Sequence, residues 1–404
     1  MYYKYHKRKF PDDVLVYIEE YNKADSYVIF DFYDSNELDI FSSYLTINTN
    51  LNLPTMVRME NYNLRTIREN TYYSINRQTI VSWAENNLIT QNETSFLIGY
   101  SIDLSNFDSI LEVFTHSVSL NDDSNFSHFF RGNRDVSDID FGLAGKLNVV
   151  VRNVGQGNWN EIVSDDSYEV VYDCGTTMFA NKSDVRKLIN SRAKAYINSK
   201  PTLFISHWDK DHYHCLIGMT DDELLSFSNI VFRDYLPNLT CRNLIGRIKR
   251  LFAFKNIYSI PAETRTSRGG FTSLKPLNDT TNQLVIYNSQ YHKDRNISGI
   301  LLSLKTAGSS VVFSGDSHYL QVSKCILPHL NYTHKHYLIV PHHGGKGGSY
   351  VYDNPGKIQY EEAIISVGKN RYGHPLSHYV TSLKTDFTNV KKTSLAKRDI
   401  IITL

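Results

Sequence analysis

Short apolar runs of strand length recur along the chain, and beyond residue 146 several of them end in residues of the kinds that bind metal ions. Residues 147–151, 168–172 and 202–205 read as strands, as do 283–287, 299–304, 310–313, 337–340, 363–367 and 400–404. Helical spacing predicts helices over 184–197, 224–227 and 244–254. Before residue 146 the pattern is less regular. Apolar runs fill 14–18 and 27–32, helical spacing covers 67–88, and 96–102 and 110–114 suit strand or helix. The polar, acidic stretch 121–140 suits an interdomain linker or a surface loop. The pattern predicts two domains, a smaller α+β domain of unknown fold over 1–145 and an α/β sandwich over 146–404.

Charge sharpens this division. The 404-residue chain carries a formal net charge of +1, but residues 1–146 hold 12 Lys+Arg against 21 Asp+Glu, and the remainder holds 31 against 21. Twelve of the fifteen histidines also lie in the remainder. A balance of −9 in front of +10 favours an anionic substrate for the second part. It also favours association of the acidic first part with that basic face or with a protein partner. The basic start, Met1-Tyr2-Tyr3-Lys4-Tyr5-His6-Lys7-Arg8, has no apolar run behind it and so does not read as a signal peptide. No run of about 18 apolar residues predicts a membrane span. The expectation is a cytoplasmic protein. Cys174, Cys215, Cys241 and Cys325 are scattered without CxxC spacing and read as reduced thiols, with Cys174 and Cys215 in the core.

The chemistry gathers at Ser206-His207-Trp208-Asp209-Lys210-Asp211-His212, just past the run 201–205. In an extended segment 207, 209 and 211 project to one side and His212 adds a second imidazole, so the cluster suits two divalent ions. Later strands repeat the pattern. Residues 311–313 lead to Ser314-Gly315-Asp316, 338–340 to His342-His343-Gly344, and 364–367 to Gly373-His374-Pro375. A carboxylate shared between two ions, with histidines on each, is what a binuclear hydrolase uses to activate a hydroxide and neutralise a phosphoryl or acyl oxygen.

Six ordered motifs resemble the metallo-β-lactamase fold: Val154-Gly155-Gln156-Gly157, Asp173-Cys174-Gly175, the 207–212 cluster, 314–316, 342–344 and the run from Ser366 to Pro375. The variant HxDxDH, with SVGxNxYGHP, most resembles the soluble domain of the competence DNA-uptake protein ComEC and its stand-alone relatives. The resemblance covers residues 146–385 and implies a four-layer αββα sandwich. By position it implies His207, Asp209 and Asp316 on one ion and Asp211, His212, Asp316 and His342 on the other, with Asp173 orienting the site from behind. Asn296 stands where many members place a further histidine. With Asp209 also replacing a histidine, the first ion site becomes richer in oxygen, so Mn²⁺ or Mg²⁺ rivals Zn²⁺. Two positions depart from the pattern, Asn158 after the VGQG turn and His214 after Asp211-His212. His214 suits packing, a ligand role or substrate contact.

The expected activity is phosphodiester hydrolysis, with nucleic acid as substrate and Asp211 holding the hydroxide. His343 and His374 are either structural or contact the scissile phosphate and protonate the leaving oxygen. The basic stretch holding Arg242, Arg247, Lys249 and Arg250 is either a solvated face or a phosphate-backbone contact. A small phosphodiester such as a cyclic nucleotide, or a regulatory module acting through the acidic domain, are the alternatives.

Overall fold

The computed structural model describes residues 13–44, 54–62, 67–105, 113–118, 135–253, 255–263, 272–292, 294–331, 334–350 and 359–404. The chain forms two compact units, one comprising Met1–His128 with Leu236–Arg247, the other Phe129–Tyr235 with Ile248–Leu404.

The first unit is built on a mixed seven-stranded sheet. Its strands are β1 (Val14–Asn22), β2 (Tyr27–Phe32), β3 (Met56–Glu60), β4 (Thr71–Ile75), β5 (Ile89–Gln91), β6 (Ile98–Asp103) and β7 (Phe114–Val118), in the order β5-β6-β3-β2-β1-β4-β7. β1 and β2 are buried over nearly all their length, as expected of central strands. Helical spacing over 67–88 proved half right. Asn76 caps a helix at Arg77–Glu85, but the preceding Thr71–Ile75 pairs with β1, because alternating burial of Tyr72 and Ser74 suits a sheet face.

Asp31 sits at the centre of this unit with no exposure. It accepts hydrogen bonds from the Thr240 N–H (2.9 Å) and the Thr55 hydroxyl (2.7 Å). Burial pushes its carboxyl up to about 6, against the opposing hydrogen bonds from Thr240 and Thr55. The folded unit therefore keeps a proton that the unfolded chain releases between about pH 4 and 6, and stability falls as pH rises through that window. The advantage of Asp31→Asn over the parent should grow by about 2–3 kcal/mol from pH 4 to 7 in urea unfolding. A constant difference would show that the carboxyl is ionised throughout.

Leu236–Arg247 completes this unit from far along the chain. Leu239 joins its apolar core and Asn238 hydrogen-bonds Glu19. The helix Leu239–Leu251 starts earlier than its periodicity predicts, and Leu224 ends a helix, Asp221–Leu224, where one was expected to begin.

The second unit holds two seven-stranded sheets. One runs β13-β12-β11-β10-β9-β8-β21, from β8 (Leu147–Val151), β9 (Asn160–Ser164), β10 (Ser167–Tyr172), β11 (Thr202–Ile205), β12 (Asn229–Arg233), β13 (Ile257–Ile260) and β21 (Ile400–Thr403). The other runs β14-β15-β16-β17-β18-β19-β20, from β14 (Leu274–Pro276), β15 (Leu284–Ser289), β16 (Ile300–Lys305), β17 (Ser309–Phe313), β18 (Lys335–Ile339), β19 (Gln359–Ile365) and β20 (Asn389–Lys392). The sheets share one core, in which Val149, Tyr172 and Phe204 of the first meet Leu302, Phe313 and Ile364 of the second. The opposite face of the second sheet packs Val312 and Ile365 with Tyr379 and Leu383 of the helix Ser377–Asp386. The helix Lys182–Ser199 lies along β10. Among the described residues, no helix is long and apolar enough to cross a membrane.

Candidate metal centre

β10 and β11 run parallel, as do β17, β18 and β19, so the loops leaving their carboxyl ends carry the site. Asp173 follows β10, His207 and Asp209 follow β11, Asp316 follows β17, and His342 and His343 follow β18. Only the first part of the 207–212 cluster is extended. Lys210–Gly218 is helical, so Asp211 and His212 project from a first helical turn rather than in alternation with Asp209. Gly175 makes this possible. The Asp173-Cys174-Gly175 loop lies so close to the helix that a Cβ at Gly175 would stand 1.7 Å from the Asp211 carbonyl oxygen.

Asp316 divides the cluster by its two oxygens. Its Oδ2 faces His207 Nε2 at 3.8 Å and His342 Nδ1 at 3.9 Å, and His207 Nε2 in turn lies 3.5 Å from Asp209 Oδ2. Its Oδ1 faces His212 Nε2 at 3.1 Å and His343 Nε2 at 3.8 Å. Asp211 closes that second half, with Oδ2 3.2 Å from His343 Nε2 and Oδ1 3.9 Å from His212 Nε2. The structure thus gathers His343 with Asp211 and His212, and sets His342 on the His207 side. His342 and His343 both have left-handed backbones (φ 51° and 53°), a conformation costly for residues with a Cβ, which sends the two rings to different sides of Asp316.

Behind these groups Asp173 acts as a clamp. Its Oδ2 lies 2.7 Å from His212 Nδ1 and accepts from Ser206 Oγ and Asn158 Nδ2, while Oδ1 accepts from the Ser206 N–H. The departure at Asn158 therefore has a function, since its amide donates where an acid would repel. Because Asp173 fixes the tautomer and angle of His212, Asp173→Asn should weaken divalent-metal affinity by roughly 10–100-fold in a chelator titration. Unchanged affinity would make Asp173 a purely structural residue.

Arg295 is the residue that sequence reasoning missed. It is buried and ion-paired with Asp209 Oδ1, leaving Asp209 a single oxygen for the cluster. Oxygen enrichment at the first site is correspondingly smaller than the motif implies. Asn296, next to it, has a buried Oδ1 without a hydrogen-bond partner. No spacing rule singles out Arg295; the signal available was its position beside Asn296.

The charges in the cluster sustain one another. Burial opposes ionisation of Asp316, yet His212, His342 and His343 hold its carboxyl well below the usual range. Burial likewise opposes ionisation of Asp211, and the neighbouring imidazoles of His343 and then His212 overcome it. Burial alone would lower His212, but Asp316 and Asp173 raise it well above an ordinary imidazole. Asp209 stays ionised because Arg295, and then His207, outweigh its loss of water. His374 differs. Burial, with His342 and His343 nearby, holds it down to about 4, so it is neutral near pH 7 and suited to hydrogen bonding rather than to donating a stored proton. Its ring packs edge-on to His342 at 5.3 Å. His214 is buried against the Thr177 carbonyl at 3.1 Å and belongs to neither histidine–carboxylate group.

The basic stretch is partly spent elsewhere. Arg242 donates to the carbonyls of Tyr33 and Leu236 and stacks 4.3 Å over the Tyr33 ring, within the first unit. Arg247 also counts with that unit. Lys249 is half-buried, which lowers its pKa, and Arg250 is exposed.

No family model and no curated protein matches this sequence. Among solved structures the chain is similar to CmlA, a diiron beta-hydroxylase from Streptomyces venezuelae, at 12% identity and TM-score 0.34 over 65% of this chain. It is also similar to AbOPH, a hydrolase in the beta lactamase superfamily, at 15% identity and TM-score 0.22 over 39% of this chain. The match spans 55% of the length of each of those two chains. Likenesses at these scores leave the chemistry to be argued from the residues themselves.

Proposed function

We propose that the second unit is a metal-dependent phosphodiester hydrolase of metallo-β-lactamase type, with αββα layering, that acts on nucleic acid. One observation carries this reading. Buried His207 Nε2, His212 Nε2 and His343 Nε2, with His342 Nδ1 and Asp316 Oδ1, have no hydrogen-bond partner, although all converge on carboxylates. Buried polar atoms are rarely left so, and a nitrogen–oxygen set of this kind suits divalent cations. His207, Asp209, His342 and Asp316 Oδ2 would hold one ion, and Asp211, His212, His343 and Asp316 Oδ1 the other.

Two such ions supply a water acid enough to attack at neutral pH and positive charge against the developing phosphoryl oxygens. The protein supplies the rest. Asp211 orients the attacking water, and the Ser366 carbonyl, 2.6 Å from His343 Nδ1, holds the His343 ring in place. His374, neutral and set beside His342, hydrogen-bonds the substrate phosphate. Arg295 keeps Asp209 ionised. The excess of positive charge beyond residue 146 draws a polyanion toward the centre.

The test is metal analysis with a panel of single- and double-stranded DNA, RNA and cyclic nucleotides, supplied with Mn²⁺ or Zn²⁺. Cleavage of a polymer supports the nuclease reading. Turnover of cyclic nucleotides alone would replace it with a small-molecule phosphodiesterase, and metal uptake without any phosphodiester cleavage would sink it.

A further inference from the structure

A cavity of about 200 Å³ adjoins Asp211, and its walls include Gln156, Phe179, Lys210, Lys369, Arg371 and Tyr372. That volume is below the roughly 300–1,000 Å³ of sites that enclose a whole drug-sized ligand, so it seats one unit of something larger or a single small group. Three cations against the one carboxylate of Asp211 make it a place for an anion. Two features add a demand for a planar, hydrogen-bonding group. Tyr372 is 45% exposed, unusual for so large a ring, and Gln156 is only 3% exposed yet its Oε1 has no hydrogen-bond partner.

The cavity is also wired to the metal centre. Tyr372 packs 5.6 Å from His374, His374 packs 5.3 Å from His342, and His342 faces Asp316 at 3.9 Å. The turn that presents these groups is tied by one side chain. Asn370 Oδ1 accepts from the N–H groups of Tyr372 (3.1 Å) and His374 (3.0 Å), and its amide donates to the carbonyls of Gly368 and His374. Arg371 is laid over the Phe179 ring at 5.0 Å, which orders its guanidinium at the cavity wall.

We propose that this cavity binds a single nucleotide of the substrate, with the phosphate on Lys210, Lys369 and Arg371, the base against Tyr372 and a base N–H on Gln156 Oε1. The proposal rests on the phosphodiesterase reading and names its substrate class. Cations alone would serve any phosphate; the exposed ring and the orphaned amide oxygen select a base.

The test uses the full chain with metal removed by chelation, so that binding is read apart from turnover. Calorimetry should find adenosine 5′-monophosphate bound at least about five-fold more tightly than ribose 5-phosphate. Tyr372→Ala should erase that preference while leaving ribose 5-phosphate affinity in place, and Lys369→Ala with Arg371→Ala should weaken both ligands by about ten-fold or more. All three positions are exposed, so unfolding midpoints should stay at the parent value. Equal affinity for the two ligands, or unchanged binding in the double variant, would overturn the proposal. Competition by a single-stranded oligonucleotide rather than by a 3′,5′-cyclic nucleotide identifies a strand as the source of the unit, and the reverse identifies the cyclic compound. Base-dependent binding without any phosphodiester cleavage would keep the cavity and discard the reading of function; cleavage without base-dependent binding would do the opposite.

Discussion

Asp316→Ala protein, purified and assayed beside the parent, should carry neither divalent ion and should lose roughly 10³-fold or more in kcat/KM on any phosphodiester the parent cleaves. The size of the effect follows from its geometry. Among the described residues of the cluster, Asp316 alone has two oxygens that face both halves, and it is buried at 4% exposure. Alanine also removes a carboxylate that faces four imidazoles, those of His207, His212, His342 and His343. His212 and His343, both raised by the charge of Asp316, should then fall back and deprotonate, so the fold should survive the loss. Elemental analysis, circular dichroism and activity together check this. Retention of one metal equivalent would show that Asp316 does not join the two halves, and retained activity would refute the assignment of the site.

Gly175→Ala should be damaging for a reason unrelated to charge. The new methyl would lie 1.7 Å from the Asp211 carbonyl oxygen and 2.7 Å from the His212 nitrogen, both backbone atoms that cannot rotate aside. Either the Asp173 loop or the helix bearing Asp211 and His212 must shift. We expect a loss of about 3 kcal/mol or more in stability, with metal affinity falling in parallel. Gly308→Ala is the control, since a Cβ there meets nothing within 4 Å. Thermal unfolding of the two variants should separate them, and equal midpoints would mean that the close approach at Gly175 relaxes freely.

Much of the second unit was legible because its central strands are buried on both faces. Thr202–Ile205 is buried at every position, as are Val311–Phe313 of β17, and such stretches read as plain apolar runs. What escaped notice was order held by polar groups. β12 ends in Arg233, a buried guanidinium that hydropathy places at a surface; it is held inside by donating to the carbonyls of Ser298 and Ser289 at 2.7 and 2.8 Å. β20, Asn389–Lys392, alternates exposed and half-exposed positions at a sheet edge and carries a single apolar residue, Val390, too little to form a run. In the site, the ligand-type residues announced themselves by standing at strand ends. Their partition did not, because which of two adjacent histidines faces which oxygen of Asp316 depends on left-handed backbone angles rather than on spacing. Arg295 stayed hidden for a similar reason, since an ion pair to Asp209 joins positions 86 residues apart and leaves no local pattern.

The first unit is closed by a segment encoded more than a hundred residues after its last described strand. On the ribosome, residues 13–118 emerge while Leu239, Asn238 and Thr240 are still untranslated, so Glu19 and Asp31 wait without those partners. At ordinary rates of synthesis the wait lasts roughly ten seconds. A nascent chain in that interval has an apolar core that still lacks Leu239. The same arrangement means that cutting the gene near codon 145 yields two fragments that each lack something: one its closing strap, the other a partner for the strap it retains.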